Sequence, residues 1–493
     1  MKLNYLILFC WLYQQGFTQN TSQYNEPYRP QFHFTPPAKW MNDPNGLVYH
    51  NGKYHLFYQY YPDGIVWGPM HWGHAESTDL LHWKQLPVAL YPDTLGWIFS
   101  GSAVIDKHNT AGFGKNAMIA IYTYHNDDIW KAGKKNTESQ ALAYSLDEGK
   151  TWTKYKANPV LNNSGEQDFR DPKVFWHQGT SKWIMALAVG DKIKLFSSQN
   201  LKEWQEESVF KPTEKNTELG VWECPDLFSM KTDSGETKWI MIINHGDKGP
   251  NGGSCTRYFI GDFDGKTFTQ TQNAKWLDHG TDYYAAVTFS NVPNDKKIVL
   301  GWMSNWQYAT KVPTEVWRSA MTLPRELELI KDKNGYYLNQ KMVSQLAAVT
   351  KPIFSKANVA TPFEKKEIDL SQSEVRFDFS QPTDAMITLS NTKGELFTIT
   401  IAGNIVVTDR SHSGQTAFHE SFAAKPQVMS VEDRITSVQL VLDKSSVEIL
   451  LNGGKYSMTN LCFPTEAYSE IKIITKDSIA LSNFTVNAIS RIW

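Results

Sequence analysis

The chain is expected to be all-β: a five-bladed β-propeller followed by a C-terminal β-sandwich. Three observations carry this expectation. One apolar strand pattern, usually entered from a lysine, recurs five times at a period of about 60 residues, beginning at Tyr54, Ala117, Trp183, Trp239 and Ile298. A polar turn closed by an aromatic residue trails the first four copies, at 77–83, 145–152, 198–204 and 261–268. After about Tyr336 the texture changes to short alternating runs at 375–379, 396–401, 437–442, 447–451 and 471–474. Five units of several short strands read as propeller blades, since a solenoid would show more uniform repeats. The later runs have the spacing of a sandwich.

Taken in order, the chain opens with Lys2, an apolar run over 3–13 and a polar turn-over from Gln14. This is the pattern of an export signal, assigned to 1–19, and it is too short to span a bilayer. Cys10 lacks the small preceding residue of a lipidated cysteine, so the expected destination is secreted or periplasmic without a lipid anchor. The remaining Cys224, Cys255 and Cys462 do not make a disulfide framework. The propeller is assigned to 28–335, a linker to 336–366 and the sandwich to 367–493. The formal charge of −2 is spread without a basic stripe, which points away from nucleic acid and anionic membranes. The 18 Trp, 22 Tyr and 25 Phe suit a β-rich core and equally suit stacking on sugar faces. There is no phosphate-binding glycine loop and no zinc spacing. His71 and His74 lack a third ligand, so neither a metal nor another cofactor is expected.

The head of each unit carries the chemistry. Residues 40–46 read Trp-Met-Asn-Asp-Pro-Asn-Gly, which places Asp43 before a proline, in extended geometry, at the entrance to a strand. Alone, Asp43 and Asn45 would be ordinary turn formers. In a propeller the first strand of every blade lines the central channel, so head residues converge on one axis. Asp43, Asp171 and Glu223 stand at three such heads, while Asp226 reads better as a tie between blades. Glycoside hydrolysis needs one carboxyl as proton donor and another as nucleophile or base. Glu223, beside Trp222, suits the donor. Asp43 can be held ionised by neighbouring donors. Asp171, beside Arg170, is expected to stay a carboxylate and to bind sugar hydroxyls.

The motifs at 40–46, 99–102, 170–172 and 223–225, with further agreement at 323–327 and 443–454, resemble glycoside hydrolase family 32, the β-fructofuranosidases. The resemblance implies a retaining mechanism with Asp43 as nucleophile, Glu223 as acid/base and Asp171 as stabiliser of the transition state. It also implies a fructose pocket using Asn42, Gln59, Trp67, Phe99, Ser100, Arg170 and Trp302. The stretch 60–75 looks closest to exo-acting levanases and inulinases, so the expected partner is a fructan or sucrose. A fructosyltransferase with the same chemistry, an inverting hydrolase on a related propeller and a non-catalytic fructan-binding protein are the competing readings. The presence of all three acids argues against the last. The sandwich reads as a packing partner.

Overall fold

The computed structural model describes residues 24–212, 214 and 220–493, so the export signal expected over 1–19 lies outside the described residues. Five antiparallel sheets follow one another along residues 39–342. Their innermost strands are Lys39–His50, Trp97–Asp106, Phe169–His177, Trp222–Lys231 and Tyr284–Thr288. Each second strand contains the repeated apolar pattern: Lys53–Tyr61, Ala117–His125, Lys182–Val189, Thr237–His245 and Lys297–Met303. Their middles are buried because each blade packs on both faces, which is why these runs are continuously apolar rather than alternating. The ring closes where Trp317–Arg318 pairs in parallel with Lys39 and Trp40 of the first blade.

The sandwich has two six-stranded sheets. One runs in the order Thr350–Ala360, Ala480–Ile489, Ser373–Phe379, Ser437–Asp443, Ser446–Leu451, Tyr456–Leu461. The other runs Phe363–Lys365, Glu470–Thr475, Ala385–Ser390, Leu396–Ala402, Ile405–Asp409, Gln427–Ser430. Alternation is clear here: Ile387, Leu389, Phe397 and Ile399 point into the core between the sheets, and the intervening residues face outward.

The stretch 336–366, read from sequence as a linker, is mostly strand. Gly335–Met342 pairs with Arg325–Asp332 as the outer edge of the fifth blade. Ser344–Val349 is a short 3₁₀ turn, and Thr350–Ala360 and Phe363–Lys365 are already sandwich strands. The edge positions of these strands explain the misreading. The side chains of Thr350–Ala360 are largely exposed, and many of those of Gly335–Met342 are only half-buried, so the apolar signal that marks an inner strand is weak.

Buried ion pairs join the two domains. Arg325 of the fifth blade donates to Asp278 (3.0 Å) and pairs with Glu448 of the sandwich. Glu448 also accepts from His33 Nε2 (2.8 Å), whose Nδ1 lies 2.8 Å from Asp443. Arg410 of the sandwich reaches Asp282 of the propeller at 2.6 Å. Arg325, Asp278, Glu448, Asp443 and Asp282, with His33, are fully shielded from solvent, and each is compensated.

Candidate active site

All five innermost strands break register at the same level. The irregularity falls between Asn42 and Pro44, between Phe99 and Gly101, between Arg170 and Lys173, between Glu223 and Asp226, and between Tyr284 and Val287. A β-bulge leaves residues without a partner across the ladder and turns their side chains off the strand's alternation. The bulged residues include Asp43, Ser100, Asp171, Cys224 and Ala285, and Asp171, Cys224 and Ala285 have φ of 63°, 44° and 51°. The last paired residues before the bulges are Asn42, Phe99, Arg170, Glu223 and Tyr284. A ring of ten positions is thereby aimed at one end of the channel. Seven of the ten border a cavity of about 480 Å³ lined by Asn42, Asp43, Gln59, Trp67, Phe99, Ser100, Arg170, Asp171, Glu223 and Trp306, among others.

The three acids have different surroundings. Asp43 Oδ2 accepts from the Ser100 hydroxyl (3.0 Å) and faces the Cys224 thiol at 3.7 Å. Its Oδ1 is shielded from water and makes no well-formed hydrogen bond with the protein. Burial pushes the Asp43 carboxyl up to about 6, against the Asn42 amide and Ser100 hydroxyl, with Glu223 adding to the rise. Asp171 is buried; its Oδ2 accepts from the Cys224 backbone N–H (2.9 Å) and faces the Cys224 thiol at 3.6 Å. Burial raises Asp171 to about 7 against the opposing pull of Arg170, with the charges of Glu223 and Asp43 adding to the rise. The expectation that Arg170 keeps Asp171 an ordinary carboxylate is therefore corrected. The guanidinium is turned elsewhere.

Arg170 is committed to Glu223. Its Nε and Nη2 both donate to Glu223 Oε1, at 3.2 and 3.0 Å, while Nη1 donates to Asp168 (2.7 Å) and Glu138 (3.1 Å). The rigid fork of donors makes such a two-sided grip possible. Glu223 Oε2 accepts from the Tyr284 hydroxyl. Burial keeps Tyr284 a neutral phenol, with the Glu223 charge acting in the same direction. Burial likewise keeps Cys224 a neutral thiol, so it donates weakly to both aspartates.

The remaining expected pocket residues fall as follows. Asn42 is oriented by Trp40, whose Nε1 donates to its Oδ1 at 2.8 Å. Gln59 lies across the ladder from Asn42 and presents an Nε2 with no protein partner. Trp67 stands at the rim against Trp97 and Phe99, edge-on in both contacts. Phe99 stacks on His125 with centroids 4.3 Å apart and planes 7° apart. Trp302 is not among the residues that line the cavity. It is fully buried, its centroid 4.8 Å from that of Trp306, and Trp306 is the one that lines the cavity. Both belong to the same fifth-unit segment, and burial in the strand Lys297–Met303 takes Trp302 out of reach.

Tyr284, Glu138, His125 and Trp306 were missed from sequence. Tyr284 could have been found, because it heads the fifth unit just as Glu223 heads the fourth. Asp226 links three blades: it accepts from Thr288 N–H (2.6 Å) and hydroxyl (2.7 Å) and from Lys173 (3.1 Å). His74 is stacked on Phe57 and hydrogen-bonded to His55 within the first blade.

Three carboxyl groups on three blades of a propeller, facing a sugar-sized cavity walled by rings, are the equipment of a propeller glycosidase. Comparison with known proteins makes the class specific. The family model described as "Glycosyl hydrolases family 32 N-terminal domain" matches residues 33–341, and the one described as "Glycosyl hydrolases family 32 C terminal" matches 343–488. The chain is 40% identical to a levanase of Bacillus subtilis, covering 99% of this chain and 75% of that protein. It is 38% identical to an extracellular exo-inulinase of Aspergillus niger, covering 92% of each. A crystal structure of exo-inulinase from Aspergillus awamori superposes with a TM-score of 0.85 at 35% identity, covering 95% of this chain and all of that one. The chain belongs to glycoside hydrolase family 32.

Proposed function

We propose that the protein is a retaining, exo-acting β-fructofuranosidase that releases terminal fructose from fructans and from sucrose. The observation that carries this reading is the division of labour at the bulges. Asp43 lines the cavity, with one oxygen held by Ser100 and the other left without a well-formed bond. Glu223 is gripped by Arg170 and Tyr284 at the next-but-two bulge. In the first step the Asp43 carboxylate attacks the anomeric C2 of a terminal fructosyl unit. Glu223 gives its proton to the departing glycosidic oxygen, and a covalent fructosyl-enzyme forms. In the second step Glu223 takes a proton from water, which attacks C2 and frees both fructose and Asp43. Asp171 binds fructose hydroxyls and stabilises the charge that develops on the ring.

Exo action is supported by the floor of the cavity. Beneath the acids the channel narrows to a void of about 10 Å³ bordered by Pro44, Gly101, Pro172 and Pro225. A polymer cannot thread through such a gap, so substrate enters and leaves by the open mouth, as suits the binding of a chain end. The relatives named levanase and exo-inulinase support fructans as substrates, and the word extracellular in the fungal name fits the export signal read over 1–19. Product analysis on sucrose, inulin and levan tests the reading. Free fructose from all three is expected, released first as the β-anomer by NMR. Oligosaccharides alone, or initial inversion, would refute it, and sugar-to-sugar products in excess of free fructose would make it a transferase.

A further inference from the structure

Between the second and third strands of the second blade, residues 126–137 form an excursion that stands over the cavity. Its neck is closed by the Asn126 N–H donating to Thr137 O (2.8 Å). The Asn126 side chain caps Ile129 N–H at 3.0 Å, and Asp127 pairs with Lys131 at 2.6 Å across one helical turn. The excursion is therefore held in a defined shape. Trp130, Gly133, Lys134, Lys135 and Thr137 from it line the cavity wall.

Trp130 is 60% exposed, the most exposed tryptophan of the described residues, and it contributes little to the core. One exposed ring is ordinary by itself, but this one stands at a cavity already lined by rings, where ligands are bound. It also ends a sequence of rings. Phe99 stacks on His125 at 4.3 Å. His125 lies 5.7 Å from Trp97 and 6.4 Å from Trp130, and Trp97 lies 5.3 Å from Trp67. One wall is thus aromatic from Phe99, whose chain neighbour Ser100 holds the nucleophile, outward to solvent. Fructosyl units present apolar C–H faces that such rings cover. The channel is constricted below the acids, so a polymer leaves by the open mouth, which this wall borders.

We infer that Trp130 is a stacking platform for the fructosyl units beyond the scissile bond, and that it makes the enzyme favour polymers and longer oligosaccharides over sucrose. This rests on the exo-fructosidase reading above. On this proposal the glucosyl unit of sucrose stops short of Trp130, and the third and later units of a fructan lie against it.

The test compares the wild-type protein with Trp130→Ala and Trp130→Phe on sucrose, a fructan trisaccharide, inulin and levan. Loss of the platform should raise KM for inulin and levan about tenfold, the size expected for uncovering part of an indole ring. Sucrose kcat and KM should stay within about twofold, and Trp130→Phe should recover most of the polymer KM. Unchanged polymer KM in Trp130→Ala, or an equal loss on sucrose, would overturn the platform while leaving the fructosidase reading intact. A wild-type protein that releases no fructose from any of the four would overturn both.

Discussion

Replacing Asp43 with Asn separates the chemical role of this residue from its cost to the fold. Asparagine keeps the shape and can still accept from the Ser100 hydroxyl, which lies 3.0 Å from Asp43 Oδ2. It cannot attack C2. Turnover on sucrose should fall by at least about a thousandfold, with sucrose binding changed far less, as expected when a group acting only in the chemical step is removed. Stability should move the other way. The carboxyl is raised from 3.8 to about 6 in the folded protein, chiefly by burial. Below pH 3.8 both states are protonated, and the group costs nothing. Between 3.8 and 6 the unfolded chain releases its proton while the folded chain retains it, so stability falls as pH rises through that window. Above 6 the full penalty is in place, about 3 kcal/mol. Asp43→Asn removes it. Denaturant unfolding of both proteins at pH 4 and pH 8 reads the effect: the variant should gain up to about 3 kcal/mol at pH 8 and little at pH 4. Full activity would refute the nucleophile. A variant no more stable than wild type at pH 8, or one stabilised equally at both pH values, would refute the claim that burial strains this carboxylate.

Two further outcomes follow from the geometry. Arg170→Lys keeps the charge but loses the two-donor grip on Glu223 Oε1, so kcat should drop by roughly tenfold or more with a smaller change in KM, measured by steady-state fructose release. His33 is raised to about 9: burial alone would lower it, but the carboxylates of Asp443 and Glu448 more than reverse this. Its contribution is fully present below pH 6.5 and is lost as pH rises toward 9, so His33→Gln should cost roughly 3 kcal/mol at pH 6 and much less at pH 9.5 in unfolding experiments.

Much of the fold, and the family, could be read along the chain. The five apolar runs announce the blades because a strand buried on both faces must be continuously apolar, and that property is local. The acids Asp43, Asp171 and Glu223 stood out because each follows the same rule of position, at the head of a unit. Local pattern fails where side-chain direction depends on register. A bulge inserts residues into the two-residue alternation, so nothing in the local run says which neighbours turn into the channel. Hence Arg170, adjacent to Asp171 in sequence, grips Glu223 of the next blade instead. The choice between Trp302 and Trp306 likewise depends on where the strand Lys297–Met303 ends, and either ring satisfies a requirement for an aromatic wall. The sheet edges from 336 to 366 were missed because exposed edge strands lack the apolar run that marks the blade interiors. Residue types and their order sufficed for the repeat, the acids and the family. The bulge ring, the partner of Arg170 and the exposed Trp130 wall depend on contacts between segments far apart in the chain, and they exist only once the five blades close around a common axis.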